Sequence, residues 1–136
     1  MLQREVLLDT DTLSAYMRRE AAVVTQVEDY LLTHDEISFS VMTRYEVLRG
    51  LKAKGATTKL QAFQELCASS DILPLTDDII DMAADVYADL YNRGELIGEA
   101  DMLIAGTALV HNLVVVTNNQ RHFNRIVGLQ LDNWIT

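Results

Sequence analysis

Val6-Leu7-Leu8-Asp9-Thr10-Asp11-Thr12-Leu13 decides how the rest of the chain is read. A short apolar run that breaks at once into carboxylates and hydroxyls is a strand followed by a turn. In open α/β sheets the ligand crevice lies beyond the carboxyl ends of the strands, so acids placed there stand where chemistry gathers. Asp11 or Thr12 could equally be the N-cap of the next helix, a position both residue types favour. Asp9 is harder to explain that way.

Working outward, the pattern predicts a strand over 5–8 and helices over 12–18 and 21–33. A brief β run follows at 37–39, and Ser40 is an N-cap for a helix over 41–54 that Gly55 stops. A helix over 58–68 precedes a strand at 72–75, whose Pro74 suits a strand end better than its middle. Thr76 caps a helix over 77–92 ended by Arg93-Gly94, and Gly98 opens a helix over 99–111. Leu113-Val114-Val115-Val116-Thr117 is the clearest buried strand. A short helix at 120–125 and a β run at 129–131 complete the chain. Strands alternating with helices imply α/β architecture, a parallel sheet of four to five strands covered on both faces.

The chain has 136 residues, 49% of them hydrophobic, enough for one domain over 1–136 with a single core and no linker. No apolar run approaches the roughly 20 residues of a membrane helix, and Met1-Leu2-Gln3-Arg4-Glu5 breaks up a signal-peptide pattern. A soluble cytoplasmic protein is expected. Cys67 is the only cysteine, so neither an internal disulfide nor a cysteine-built zinc site can form. A net charge of −9 argues against a general electrostatic grip on nucleic acid, and any such role must be local. Excess carboxylate also suits a hard divalent cation or a basic partner.

Two further acids stand out beside Asp9. Glu46 shares a helix face with Met42 and Gly50, and a glycine inside a helix often marks close approach of another backbone, which would draw Glu46 inward. Taken alone, Glu46 could equally be a solvated surface acid. Asp101 lies in the first turn of its helix, where the dipole alone favours an acid by about 0.3 to 1 kcal/mol. Ala105 and Ala108 follow on the same face, however, and that face can pack closely against a sheet. Glu99 reads as a surface acid. The turn Thr117-Asn118-Asn119 opens on the same sheet edge as Asp9 and offers hydrogen bonds at its rim, although its asparagines also suit a turn and an N-cap. His34, His111 and His122 show no paired ligand spacing and read as surface or packing residues. With no nucleophile elbow and no phosphate-cradling glycine loop, the remaining constellation is oxygen-only.

These residues resemble the PIN-domain nucleases, and most closely the VapC-type toxins of bacterial toxin–antitoxin pairs. The resemblance runs through Leu8-Asp9-Thr10-Asp11, Tyr45-Glu46-Val47-Leu48-Arg49-Gly50, Ile97-Gly98 with Asp101 and Ile104-Ala105, Thr117-Asn118-Asn119 to Phe123, and Gly128-Leu129 ahead of Trp134. It implies a three-layer PIN-like fold, a central parallel sheet of four to five strands flanked by helices, with Asp9, Glu46 and Asp101 around Mg2+ or Mn2+ and Asn119 completing the catalytic set. Asp9 and Asp101 are expected to hold the ion, and Glu46 to orient or deprotonate the attacking water. Two positions depart from the family pattern: Asp11 stands where asparagine is usual, and Asn119 where many members have a fourth acid.

The resemblance further implies cleavage of RNA to a 5′-phosphate and a 3′-hydroxyl, a homodimer, and a cognate antitoxin that inserts a segment into the acidic groove. Arg44, Arg49, Lys52 and Lys54, and Arg121, His122 and Arg125, are the basic groups near the expected mouth, with Tyr16 and Phe123 as stacking candidates. A PIN-like domain that binds RNA or a partner without cutting is the alternative. Asp9-Thr10-Asp11-Thr12 also resembles the first motif of haloacid-dehalogenase-type phosphatases. That reading lacks a longer chain, a suitably placed lysine and a β-type flap after the first strand.

Overall fold

A computed structural model describes residues 4–135. The opening residues 1–3, on which part of the signal-peptide expectation rests, lie outside them. In order the elements are β1 (Val6–Leu8), α1 (Thr10–Met17), α2 (Ala21–Leu31), β2 (Ser38–Ser40), α3 (Val41–Ala53), α4 (Thr57–Ala68), β3 (Asp71–Leu73), α5 (Asp77–Asn92), α6 (Glu99–His111), β4 (Val114–Val116), α7 (Gln120–Phe123) and β5 (Leu131–Asp132).

Every strand pair is parallel. β4 lies between β1 and β5, with Val6 opposite Val114, Leu8 opposite Val116 and Val115 opposite Leu131. β2 pairs with β3, Ser40 opposite Leu73, and runs alongside β1 without a shared ladder. The expected α/β layering is therefore observed, and among the described residues the five strands divide into ladders of three and two.

Alternation of side chains along the strands divides the core in two. Val6, Leu8 and Val116 face Leu13, Val23, Val27, Phe39, Phe63 and Trp134 on the side of α1 to α4. Leu7 and Val115 face Val86, Leu90, Ile104, Ala105, Ala108 and Phe123 on the side of α5 and α6. Burial on both faces is why β1 and β4 are continuous apolar runs instead of alternating ones.

Local signals set most boundaries. Ser40 Oγ accepts from Met42 N at 3.0 Å and starts α3. Thr76 caps α5, whose chain then reverses through Gly94 at φ 68°. Asn112 ends α6 in the left-handed conformation that asparagine tolerates. Three expectations need correction. α1 begins at Thr10, two residues early, because Asp9 itself is the N-cap and neither Asp11 nor Thr12 fills that role. The last strand is Leu131–Asp132, since Val115 N donates to Gln130 O and sets the register beyond 129–131. Gly50 approaches nothing: a Cβ there would meet no atom within 4 Å. The close approach is at Gly106, where a Cβ would sit 3.0 Å from Ile79 O and 3.1 Å from the Ala83 Cβ, so α5 and α6 pack nearly backbone to backbone. Among the described residues no helix is long and apolar enough to cross a membrane.

Candidate active site

Strand pairing brings distant residues to one edge. Asp9 N donates to Val116 O at 2.9 Å, continuing the β1–β4 ladder, and Asp9 and Thr117 therefore leave their strands side by side. Only 5% of Asp9 remains exposed. Its Oδ1 accepts from Thr10 N at 2.8 Å and its Oδ2 from the Thr117 hydroxyl at 2.8 Å. Burial, then the charge of Asp11, push its carboxyl up to about 7, against the opposing effect of those two donors; Asp101 adds to the rise.

Asp101 projects from the first turn of α6, whose following face, Ala105 and Ala108, is fully buried. Its carboxyl is also raised, first by burial and next by Glu46, with His122 pulling the other way and Asp11 contributing. His122 Nδ1 lies 3.8 Å from Asp101 Oδ2. Glu46 on α3 is only 23% exposed, which removes the reading as a fully solvated surface acid. Its Oε1 accepts from the Thr10 hydroxyl at 2.7 Å, and its Oε2 is 3.8 Å from Arg49. Asp11 Oδ2 accepts from Asn118 N at 3.0 Å, tying α1 to the turn after β4. Four carboxylates thus share one neighbourhood, and their mutual repulsion adds to burial in making two of them hold protons unusually tightly.

Asn119 is in the N-cap position of α7 but does not cap it through its side chain. Its N–H donates to Thr117 Oγ1 at 2.9 Å, and its Nδ2 lies 2.9 Å from His122 Nδ1. Asn119 therefore reaches Asp9 through Thr117 and Asp101 through His122. Reading His122 as a surface or packing residue, and as a basic group near the mouth, does not foresee this contact; its place three residues after Asn119, on one helical turn, is the available signal. Phe123 is fully buried, so it cannot stack on a base. Arg125 donates to the carbonyls of Glu95 and Leu96 and is taken up in holding that loop. The hydroxyls of Thr10 and Thr43 lie 3.1 Å apart, and neither has a signal of its own in the sequence: Thr10 reads as part of the turn after β1 and Thr43 as an ordinary helix residue.

Among the described residues no three His, Cys, Asp or Glu side chains are arranged to hold one metal ion between them as they stand. The donor chemistry nevertheless fits Mg2+ or Mn2+. Mg2+ keeps several waters and is commonly held by one or two carboxylates, so a closed cage is not required. An all-oxygen cluster short of positive charge, with Asp9 pushed up to about 7, is relieved by a divalent cation.

Comparison with known proteins gives a consistent result. The family model for the PIN domain matches residues 6–129. Ribonuclease VapC1 of Methanocaldococcus jannaschii is 29% identical over 124 residues, 91% of this chain and 82% of that one. The tRNA(fMet)-specific endonuclease VapC of Shigella flexneri is 27% identical over 129 residues, 94% and 96% of the two chains. A chain in the crystal structure of DNA-bound VapBC from Salmonella typhimurium superposes with a TM-score of 0.86 at 26% identity, over 97% of this chain and 99% of that one.

Proposed function

Because the chain belongs to the PIN-domain family, we propose that it is a Mg2+- or Mn2+-dependent endoribonuclease, the toxin of a toxin–antitoxin pair, cutting structured RNA such as tRNA or rRNA. The observation that carries this reading is the convergence of Asp9, Asp11, Glu46 and Asp101 beyond the carboxyl ends of β1 and β4, with too little positive charge to balance them. Asp9 and Asp101 would hold the ion. When bound, the cation lowers the pKa of a coordinated water and offsets charge building on the phosphate.

The chain's own residues do the rest. Thr10 N and the Thr117 hydroxyl hold the two Asp9 oxygens in fixed directions, which favours the ionised form that a metal needs. Glu46 orients the attacking water and takes its proton as the water oxygen bonds to phosphorus and the P–O3′ bond breaks; the departing 3′-oxygen takes a proton from solvent water, leaving a 5′-phosphate and a 3′-hydroxyl. Asn119 steadies Thr117 on one side and His122 on the other. Arg49, exposed beside Glu46, is placed to meet a substrate phosphate. A phosphatase of the haloacid-dehalogenase type is disfavoured by α1 starting at Thr10, which leaves no room for a flap after β1.

A groove of about 780 Å³ between α1, α3 and α4 supports an antitoxin partner. Met17, Val47 and Leu51 line it with Arg19, Lys54 and Lys59, and it reaches Thr10 and Glu46. An antitoxin segment of mixed apolar and acidic character fits it, with a cationic residue directed at Glu46. The active form in this reading is a homodimer.

The test is to incubate the purified protein and its Asp9→Asn variant with RNA in Mg2+ or EDTA and sequence the new ends. Cleavage confined to the unaltered protein in Mg2+, with 5′-phosphate ends, is expected. Cutting that survives EDTA or the substitution refutes the mechanism. The lack of a ready-made trio of metal ligands among the described residues favours one second reading, an RNA- or partner-binding domain that does not cut; RNA retained intact in Mg2+ would establish it.

A further inference from the structure

Thr10 occupies an unusual position between two acids of the site. Its N–H donates to Asp9 Oδ1 at 2.8 Å, and its hydroxyl lies 2.7 Å from Glu46 Oε1. A second hydroxyl, Thr43 Oγ1, lies 3.1 Å behind it and is fully buried on α3, one turn before Glu46. Counting protons fixes the direction of these bonds. An ionised carboxylate only accepts, so the single Thr10 hydroxyl proton goes to Glu46, and Thr43 must donate to Thr10. The two hydroxyls form a relay ending on the carboxylate, in which each bond polarises the next.

We propose that Thr10, backed by Thr43, is a positioning residue that sets the direction of the Glu46 carboxylate and couples it to Asp9. The proposal rests on the role given to Glu46 above. The opposing influence is Arg49, 3.8 Å from Glu46 Oε2 on the exposed side of α3. Thr10 holds one oxygen toward the cluster while Arg49 draws the other toward solvent. Without the hydroxyl, the carboxylate turns to the arginine. The backbone half of the device is indifferent to the side chain, so Asp9 keeps its Thr10 N–H in any non-proline variant.

Three variants separate positioning from folding. Thr10→Val keeps shape and N–H but removes the hydroxyl, Thr10→Ser keeps the hydroxyl, and Thr43→Val removes only the rear bond. With RNA and Mg2+, Thr10→Val should lower kcat by about 10- to 100-fold, the worth of one hydrogen bond to a charged group, with KM within about twofold. Thr10→Ser should recover all but about threefold, and Thr43→Val should fall between them. Equal activity of Thr10→Val and the unaltered protein, or equal loss in Thr10→Ser and Thr10→Val, overturns the proposal. Crystal structures of the Thr10 variants provide a readout independent of cutting. Glu46 should turn toward Arg49 in Thr10→Val and stay in place in Thr10→Ser; an unmoved Glu46 in Thr10→Val overturns the proposal. If the unaltered protein cuts no RNA, the nuclease reading fails, while those structures still decide whether Thr10 positions Glu46.

Discussion

Replacing Asp9 by asparagine should make the metal-free protein more stable, and increasingly so as the pH rises. Folding moves the Asp9 carboxyl from 3.8 up to about 7. A group whose pKa is raised in the folded state contributes stability below its unfolded value, and that contribution is lost as the pH climbs through the folded value. At 1.36 kcal/mol per pH unit, the full loss from acid to about pH 8 is about 4 kcal/mol. About 2 to 3 kcal/mol of it falls between about pH 5 and pH 8. An amide at this position would carry no charge to desolvate and would keep an acceptor for Thr10 N. Its NH2 group would face the Thr117 hydroxyl, which must reverse direction, and part of the gain is therefore forfeited. Urea unfolding in EDTA should show the variant ahead by about 2 to 4 kcal/mol at pH 8, with the gap narrowing toward pH 5. Adding Mg2+ at pH 8 should stabilise only the unaltered protein and close the gap. A variant less stable at pH 8, or a difference that does not change with pH, would refute the placement of Asp9 as a buried, charge-starved carboxylate.

The two helical glycines should respond in opposite directions. Gly106→Ala, driven against Ile79 O, should cost about 1 to 3 kcal/mol, whereas Gly50→Ala meets nothing and should gain up to about 1 kcal/mol, both by urea unfolding. Thr117→Val removes a donor from Asp9 and leaves Asn119 N without its partner. It should raise the Asp9 carboxyl further, weaken Mg2+ binding and move the acid limb of the cleavage profile to higher pH; an unmoved profile counts against this role for the hydroxyl.

Features governed by neighbours in sequence were legible. α5 and α6 fall at 77–92 and 99–111 as read, because Thr76, Gly94, Gly98 and Asn112 act through local backbone preferences. A parallel sheet covered on both faces followed from strands alternating with helices, and the edge shared by Asp9 and Thr117 followed from parallel pairing. What depends on the other side of a contact was not legible. A glycine's sequence context cannot tell what faces it: Gly50 has the look of a close approach, and Gly106 carries the close packing. Asp9 both ends a strand and caps a helix, a double duty that shifted α1 by two residues. His122, Phe123 and Arg125 look alike as a rim cluster, yet one meets Asp101, one is core and one holds a loop.

The register of β1 against β4 has a consequence for when the site comes into being. Val6 has no ladder partner until Val114 exists, and the hydroxyl that steadies Asp9 arrives later still, at Thr117. A chain growing on the ribosome would carry Asp9 and Glu46 for most of its synthesis, and Asp101 for a short stretch, without the strand that joins them. The edge that gathers these acids therefore comes together only when nearly the whole chain has been made.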